Sequence, residues 1–117
     1  MSTKKYQKCR RILDCFIAGF SHSDGISVID QLEIGVPVTL FAEPDNPYDP
    51  DAVLIYFDDV KLGYIPKGEN SLFSNLLYFG HGDILEARIS AKDTTAHPEK
   101  QFRIAISYRD NRPSAET

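Results

Sequence analysis

Between Glu43 and Val53 the chain reads E-P-D-N-P-Y-D-P-D-A-V, which places four acidic residues and three prolines around one tyrosine. Asn46-Pro47-Tyr48-Asp49 favours a β-turn, because an asparagine side chain can bond the backbone ahead of it and proline presets φ. Pro50 then pushes Asp49 towards extended geometry. The stretch therefore predicts a rigid loop that holds the Tyr48 ring beside the Asp49 carboxylate.

Alternating apolar residues on both sides of this loop indicate β-strands. Val36, Val38, Leu40 and Ala42 alternate before the loop, and Val53, Ile55 and Phe57 alternate after it. Asp58-Asp59 predicts a tight hairpin turn, although it lacks the glycine that the best such turns carry. With the remaining apolar patterns, the chain has about six predicted strands: 15–20, 36–43, 52–57, 61–65, 83–91 and 101–109.

The hydrophobic period changes once, after Pro66. Leu72, Phe73, Leu76 and Leu77 fall on one face of a short helix. Asn70 or Ser71 can cap its start, and Gly80 or Gly82 can end it. We therefore predict a mostly β fold with one or two short helices, a small, partly open, OB-like β-barrel with a helix at one end.

Charge is distributed unevenly along the 117 residues, whose net charge is −4. Lys4, Lys5, Lys8, Arg10 and Arg11 precede the first acid, Asp14, and the rest of the chain holds 8 basic and 17 acidic residues, a charge of −9. An acidic body argues against a long electrostatic footprint on nucleic acid, but it allows recognition of one or two nucleotides. We divide the chain into a basic arm (1–13), a barrel domain (14–110) and a flexible tail (111–117), of which the arm could touch phosphate or only aid solubility.

The N-terminal residues make a poor signal peptide, and no apolar run approaches the ~20 residues that cross a bilayer. Cys9 and Cys15 are expected to be free or buried thiols in a reducing cytosol rather than a disulfide. The sequence therefore predicts a cytoplasmic protein with no membrane association.

Tyr48 and Asp49 offer a planar ring beside a carboxylate, a pair that can stack on a base and accept a hydrogen bond from a hydroxyl. Two alternatives remain open at this point. The loop could be only a rigid connector with Tyr48 folded over the core. It could also bind a cation, although it lacks the glycine and distal glutamate of a calcium loop.

The chain resembles a HIRAN domain, a module of helicase-like repair proteins that also occurs as small free-standing bacterial proteins. The matching pieces are F-I-A-G-F-S-H-S-D-G (16–25), E-P-D-N-P-Y-D-P-D-A-V (43–53) and K-L-G-Y-I-P-K (61–67), followed in order by L-F-S-N-L-L and D-I-L-E-A-R-I. The resemblance covers roughly residues 14–109.

This resemblance implies a modified OB-like barrel that binds single-stranded DNA at its free 3′ end. In the eukaryotic members an aromatic residue and the motif tyrosine sandwich the terminal base, and the motif aspartate accepts a bond from the 3′-hydroxyl. Tyr48 and Asp49 match those two motif residues, and Lys67 is the expected phosphate contact. The candidate nucleic-acid-binding residues are therefore Ser21, His22, Asn46, Tyr48, Asp49, Tyr64 and Lys67.

Three positions depart from the eukaryotic pattern. Ser21-His22 stands where those members carry an Arg-Tyr pair, so the arginine charge is missing and His22 would stack more weakly and with a dependence on pH. Tyr64 stands where they carry a histidine.

Three functions are therefore weighed. The first is a non-catalytic module that recognises the 3′-hydroxyl end of single-stranded DNA in DNA repair or replication-fork processing. The second is a protein-interaction barrel that keeps the fold without binding DNA ends. The third is a metal-dependent nuclease built on Glu43, Asp45, Asp49 and Asp51, which would need these carboxylates to converge on one ion.

We expect no cofactor and no metal site. The histidines His22, His81 and His97 make no zinc spacing with the two cysteines, and the chain lacks a phosphate-binding G-x-x-x-x-G-K-[ST] loop.

Overall fold

The computed structural model describes residues 9–109, so the first eight residues of the predicted arm and the predicted tail lie outside it. Six antiparallel strands form one sheet in the order β1-β6-β5-β2-β3-β4. The strands are β1 (Cys9–Phe16), β2 (Pro37–Ala42), β3 (Val53–Phe57), β4 (Val60–Tyr64), β5 (Leu85–Lys92) and β6 (Phe102–Arg109). The prediction of a small, mostly β, OB-like barrel is confirmed.

The two edges of this sheet meet just beyond the end of β1. Ala18 and Tyr64 exchange backbone hydrogen bonds of 2.8 and 2.9 Å, which tie the chain after β1 to the end of β4. Gly63 makes the approach possible, since its φ is +149° and a Cβ there would overlap the carbonyl oxygen of Ala18. The sheet is thus curled into a partly open barrel whose edges join at one bridge.

Side chains that alternate along the strands fill the barrel interior. The core faces predicted for β2, β3 and β6 point inward, as do most residues predicted for β5. The largest fully buried side chains are Phe102, Ile17, Leu32, Ile55, Leu62, Ile65, Ile89, Ile104, Ile106 and Val53. Period 2 therefore located the core, because one face of each strand is buried and the other meets solvent.

The prediction of a first strand at residues 15–20 is wrong. β1 ends at Phe16, and the chain continues through the bridge at Ala18 into Gly19 (φ +74°) and a single 3₁₀ turn, Phe20–His22. Ile17 and Phe20 are buried outside regular strand geometry, which explains why their apolar character resembled a strand. β1 instead extends back to Cys9 and includes Arg10 and Arg11, which the sequence analysis assigned to the basic arm.

The segment between β1 and β2 carries a second helical element that the sequence analysis did not predict. A kinked 3₁₀ segment spans Asp24–Gln31, with a non-helical backbone at Val28. Its apolar side chains Val28 and Ile29 pack against the core from the side, and Leu32 behind it is fully buried. Mixed apolar and polar residues without a sustained period conceal such an element from pattern analysis.

The predicted helix is present as α1, Ser71–Tyr78. It ends at Gly80 (φ +84°), whose N–H bonds the Leu77 carbonyl while the N–H of His81 bonds the Leu76 carbonyl. This is the Schellman arrangement that glycine favours, so Gly80 rather than Gly82 ends the helix. Asn70 is the first flanking residue, but its side chain does not cap the helix and is used elsewhere.

The Asp58-Asp59 hairpin turn between β3 and β4 is confirmed, with Asp58 at φ +51° and Phe57 paired to Val60. Cys15 is a buried free thiol, and burial raises its pKa to about 12. Among residues 9–109, no helix is long and apolar enough to cross a membrane.

Candidate nucleic-acid interface

A surface pocket of about 330 Å³ lies outside the barrel where the two sheet edges meet. Five of the seven predicted site residues line it, and the remaining lining residues come from the bridge and its surroundings. The lining residues are Ala18, Asn46, Tyr48, Asp49, Ala52, Tyr64, Ile65 and Lys67. The fold therefore brings together the central loop and the end of β4, as the two matching motifs suggested.

The loop owes its shape to the side chain of Asn46. Its Oδ1 accepts hydrogen bonds from the N–H groups of Tyr48 (2.8 Å) and Asp49 (3.0 Å), which confirms that the asparagine side chain bonds the backbone ahead of it, as predicted. Its Nδ2 donates to Oε1 of Glu43 at 2.7 Å, so the start of the loop is tied to its own centre. Asn46 thus serves as a support for the two residues that follow it.

The Tyr48 ring projects into solvent, with 87% of the residue exposed. It does not fold back over the core, as the rigid-connector alternative required. A large planar ring that is held by a fixed backbone and left mostly exposed is well suited to a stacking contact.

The Asp49 carboxylate is held on both oxygens. Oδ1 accepts from the N–H of Asp51 (2.9 Å), and Oδ2 accepts from Nδ2 of Asn70 (2.9 Å), which is only 3% exposed. These bonds, that of Asn70 first, lower the pKa of Asp49, and the charge of Lys67 acts in the same direction. Each carboxylate oxygen has a second lone pair, so the group is fixed in place and can still accept a hydroxyl.

Tyr64 is pinned by two charged neighbours on the wall of the pocket. Its hydroxyl donates to Oε1 of Glu43 at 2.9 Å, and Nζ of Lys61 donates to that hydroxyl at 3.1 Å. Hydrogen bonds from Asn46 and Tyr64 and the charge of Lys61 lower the pKa of Glu43. The same network raises the pKa of Lys61, chiefly through Tyr64. Glu43 therefore joins the loop to β4, a role the sequence analysis did not assign.

Ser21 and His22 do not line the pocket. Ser21 is engaged with Glu99, whose carboxylate accepts from the Ser21 N–H (2.9 Å), the Ser21 hydroxyl (2.6 Å) and the Gly19 N–H (2.7 Å). His22 is exposed on the same 3₁₀ turn, four residues beyond the pocket residue Ala18. The structure thus places the predicted second stacking residue on a loop that adjoins the pocket.

Three of the four acids of the nuclease hypothesis have separate hydrogen-bond partners, and the fourth, Asp45, is exposed. Glu43 bonds Asn46 and Tyr64, Asp49 bonds Asn70, and Oδ2 of Asp51 accepts from the Ser71 hydroxyl at 2.9 Å. Within the part of the chain that the structure describes, no three histidine, cysteine, aspartate or glutamate side chains converge as metal ligands would.

Comparison with known proteins agrees with this architecture. The chain is similar to the crystal structure of a protein from Lactobacillus plantarum, with 22% identity and a TM-score of 0.72 over 86% of this chain and 94% of that one. It is also similar to the crystal structure of the HIRAN domain of human HLTF, with 14% identity and a TM-score of 0.62 over 88% of this chain and 81% of that one. A search of curated proteins finds no match.

The model of the HIRAN domain matches residues 11–108, and the chain therefore belongs to the HIRAN domain family. The resemblance carried by the E-P-D-N-P-Y-D-P-D and L-G-Y-I-P motifs is confirmed. HIRAN domains are known in general as DNA-binding modules.

Proposed function

We propose that this protein binds single-stranded DNA at its free 3′-hydroxyl end, without catalysing a reaction on it. The observation that carries the proposal is the Asp49 carboxylate. Asn70 and Asp51 hold it in one orientation, in the same pocket as the exposed Tyr48 ring and Lys67.

The division of roles follows from the chemistry of each group. The Tyr48 ring stacks on the terminal base, a contact that does not depend on base identity. The Asp49 carboxylate accepts a hydrogen bond from the terminal hydroxyl, and its lowered pKa keeps it charged at neutral pH. Lys67, at the rim of the pocket, neutralises the adjacent phosphate. His22 supplies a second stacking surface from the neighbouring loop.

Recognition of this kind would suit DNA repair or replication-fork processing, where free 3′ ends arise. A hydroxyl acceptor distinguishes an extendable end from one that carries a terminal phosphate, because a carboxylate repels that phosphate. The proposed site therefore selects the chemical state of the end and ignores its sequence.

Fluorescence anisotropy with a 5′-labelled single strand tests the proposal. Wild type should prefer a 3′-hydroxyl strand to the same strand with a 3′-phosphate, and Asp49→Ala should abolish the preference. Tyr48→Ala should weaken binding to the 3′-hydroxyl strand by ~1–3 kcal/mol. Equal affinity of wild type for both ends, unchanged by these substitutions, would refute end recognition.

Two matched variants control for loss of charge and loss of an exposed ring. Asp45→Ala removes an exposed carboxylate from the same loop, and Tyr78→Ala removes an exposed ring from α1. Neither residue lines the pocket, so both variants should keep the wild-type preference.

One observation favours the alternative of a protein-interaction barrel. Glu99 places a carboxylate against Ser21, at the position where the eukaryotic members carry an arginine. A negative group beside the pocket opposes phosphate. Absence of any DNA binding, together with a protein partner that protects Tyr48 from modification, would support this alternative.

A further inference from the structure

Four arginines project from the outer face of β1, β6 and β5, on an otherwise acidic protein. Along β5 and β6, Ala87, Ile89, Ile104 and Ile106 point inward, so Arg88, Arg103 and Arg109 point outward. Arg11 lies opposite Ser107 on the same outer face. We call Arg11, Arg88, Arg103 and Arg109 the arginine face.

Two carboxylates lie among these arginines, and each is shared by a pair of them. Asp14 is 3.4 Å from Arg11 and 2.7 Å from Arg103, and Glu86 is 3.8 Å from Arg88 and 3.0 Å from Arg109. Four arginines against two carboxylates leave a net charge of +2. The acids are also the recessed members of each group.

The arginine side chains are more exposed to solvent than the carboxylates that they pair with. The side chains of Arg11 and Arg88 are 63% and 54% exposed, whereas those of Asp14 and Glu86 are 26% and 24% exposed. The carboxylates therefore orient guanidinium groups that reach further into solvent than they do. An approaching ligand meets positive charge first, with donors already positioned.

The centre of this face is a shallow depression of about 280 Å³. Small side chains, Ala105 and Ser107 of the central strand β6, form its floor, and Arg11 and Arg88 stand on its two sides. Glu86, the half-buried acid that pairs with Arg88 and Arg109, also lines it. Arg88 is further fixed by a 3.0 Å hydrogen bond to the Gly35 carbonyl. A tetrahedral anion between the two arginines would meet guanidinium donors from both strands.

The arginine face is continuous with the Tyr48–Asp49 pocket along the outer side of the chain that forms β1. Asp14, Phe16 and Ala18 alternate outward, and Ala18 lines the pocket. Arg103 stacks on Phe16 at 4.5 Å, between the pocket and the rest of the face. Because two residues of extended chain span about 7 Å, the face begins within one or two nucleotides of the pocket.

We propose that the arginine face binds the phosphate backbone of single-stranded nucleic acid, upstream of the end held in the pocket. A guanidinium group can donate two parallel hydrogen bonds to the oxygens of one phosphate. The small residues between the arginines leave room for the nucleic-acid strand. Phe16 and Arg103 offer a flat surface where the pocket and the arginine face meet. This inference goes beyond end recognition, since it assigns a second surface that needs no free 3′ end.

Circular single-stranded DNA tests the face by itself, because it has no end to enter the pocket. The test variant is Arg11→Gln/Arg88→Gln, which leaves Asp14 paired with Arg103 and Glu86 paired with Arg109. It should bind a labelled circle roughly 5–10-fold more weakly than wild type at ~50 mM salt. The slope of log K against log salt should fall by ~0.7, as for the loss of one phosphate contact.

Two further variants separate this effect from net charge and from folding. Asn75→Asp/Tyr78→Glu adds two negative charges on the exposed side of α1, the same change in net charge as the glutamine variant, and should bind the circle as wild type does. Arg11→Lys/Arg88→Lys retains both charges and should keep the wild-type salt slope. Thermal unfolding of every variant reports whether the barrel is intact.

Failure of the inference and failure of the proposed function give different results. Suppose that wild type prefers a 3′-hydroxyl strand but the glutamine variant binds circles and linear strands with wild-type affinity. The arginine face then does not bind nucleic acid, and end recognition stands. If the circle binds through the arginines but wild type binds linear 3′-hydroxyl and 3′-phosphate strands equally, end recognition is wrong and the arginine-face proposal stands. Equal competition by polyglutamate would identify an acidic protein as the ligand and overturn the nucleic-acid assignment.

Discussion

The buried amide of Asn70 donates a 2.9 Å hydrogen bond to Oδ2 of Asp49, across 21 residues of sequence. Asn70 immediately precedes α1, and its own carbonyl accepts the N–H of Ser74, so its position is set by the start of the helix. The residue that precedes α1 therefore orients the carboxylate on the loop. With the bond from the Ser71 hydroxyl to Asp51, it joins the loop to the start of α1 at two points.

Replacing Asn70 with alanine should break the first of these two connections. The variant loses the bond that holds Asp49 Oδ2 and leaves a small cavity, so we expect it to be less stable than wild type by ~1–2 kcal/mol. The preference for a 3′-hydroxyl over a 3′-phosphate end should fall with it, because the carboxylate is then held on one oxygen only. Urea unfolding and anisotropy on the same preparation measure both effects.

Ser71→Ala provides the matched control for Asn70. It removes a hydrogen bond of the same length, 2.9 Å, between the same loop and helix, but its acceptor is Asp51. If Ser71→Ala reduced the end preference as much as Asn70→Ala does, orientation of Asp49 would not be the cause.

A second prediction concerns the bridge that joins the sheet edges. Gly63→Ala places a methyl group against the Ala18 carbonyl oxygen at a φ of +149°, so the backbones of Ala18 and Tyr64 must separate. We expect a loss of stability of about 3 kcal/mol or more, from the clash and the strained backbone together. Hydrogen exchange should show the amides of Ala18 and Tyr64 losing protection first.

Gly80→Ala tests how much of that loss comes from backbone conformation alone. Gly80 also has a positive φ, +84°, but an added Cβ there meets nothing within 4 Å. Its cost should be about 1 kcal/mol, with no change in exchange at the bridge. Equal losses in the two variants would mean that the close approach at Ala18 is unimportant.

The sequence predicted those features that depend on residues close together along the chain. The turn at Asn46 follows from an asparagine and a proline in adjacent positions, and the faces of β2, β3 and β6 follow from period 2. The motifs also predicted seven site residues, and five of these seven line the pocket.

Contacts between distant residues escaped prediction. Glu99 lies in a polar loop whose sequence predicts exposure to solvent. Only the fold shows that its carboxylate bonds Gly19 and Ser21, about 80 residues away. Asn70 is a residue type that often caps helices. Nothing in the neighbouring sequence shows that its side-chain amide donates to Asp49 instead. The arginine face was hidden for the same reason, since alternation shows that a side chain points outward but not which strands are neighbours.

The last prediction concerns the Glu99 contact, which has a distinct dependence on pH. Hydrogen bonds from the Ser21 hydroxyl, the Ser21 N–H and the Gly19 N–H lower the pKa of Glu99, and the charge of His22 adds to them. A carboxylate whose pKa is lowered by folding stabilises the fold above its unfolded pKa of about 4.5. That stabilisation is lost as the pH falls through the lowered, folded value.

Glu99→Gln keeps the shape of the side chain, but its amide nitrogen faces a backbone N–H where a carboxylate oxygen accepted one. Because the site is partly solvated, we expect a loss of about 1 kcal/mol at pH 7. The difference in unfolding free energy between wild type and variant should stay constant from pH 7 to 5 and shrink below pH 4.5, as urea titrations across that range would show. Glu33→Gln, which removes an exposed partner of Lys92, should change stability by less than ~0.5 kcal/mol at pH 7. A difference that instead grew as the pH fell would show that the charged form of Glu99 does not hold the loop.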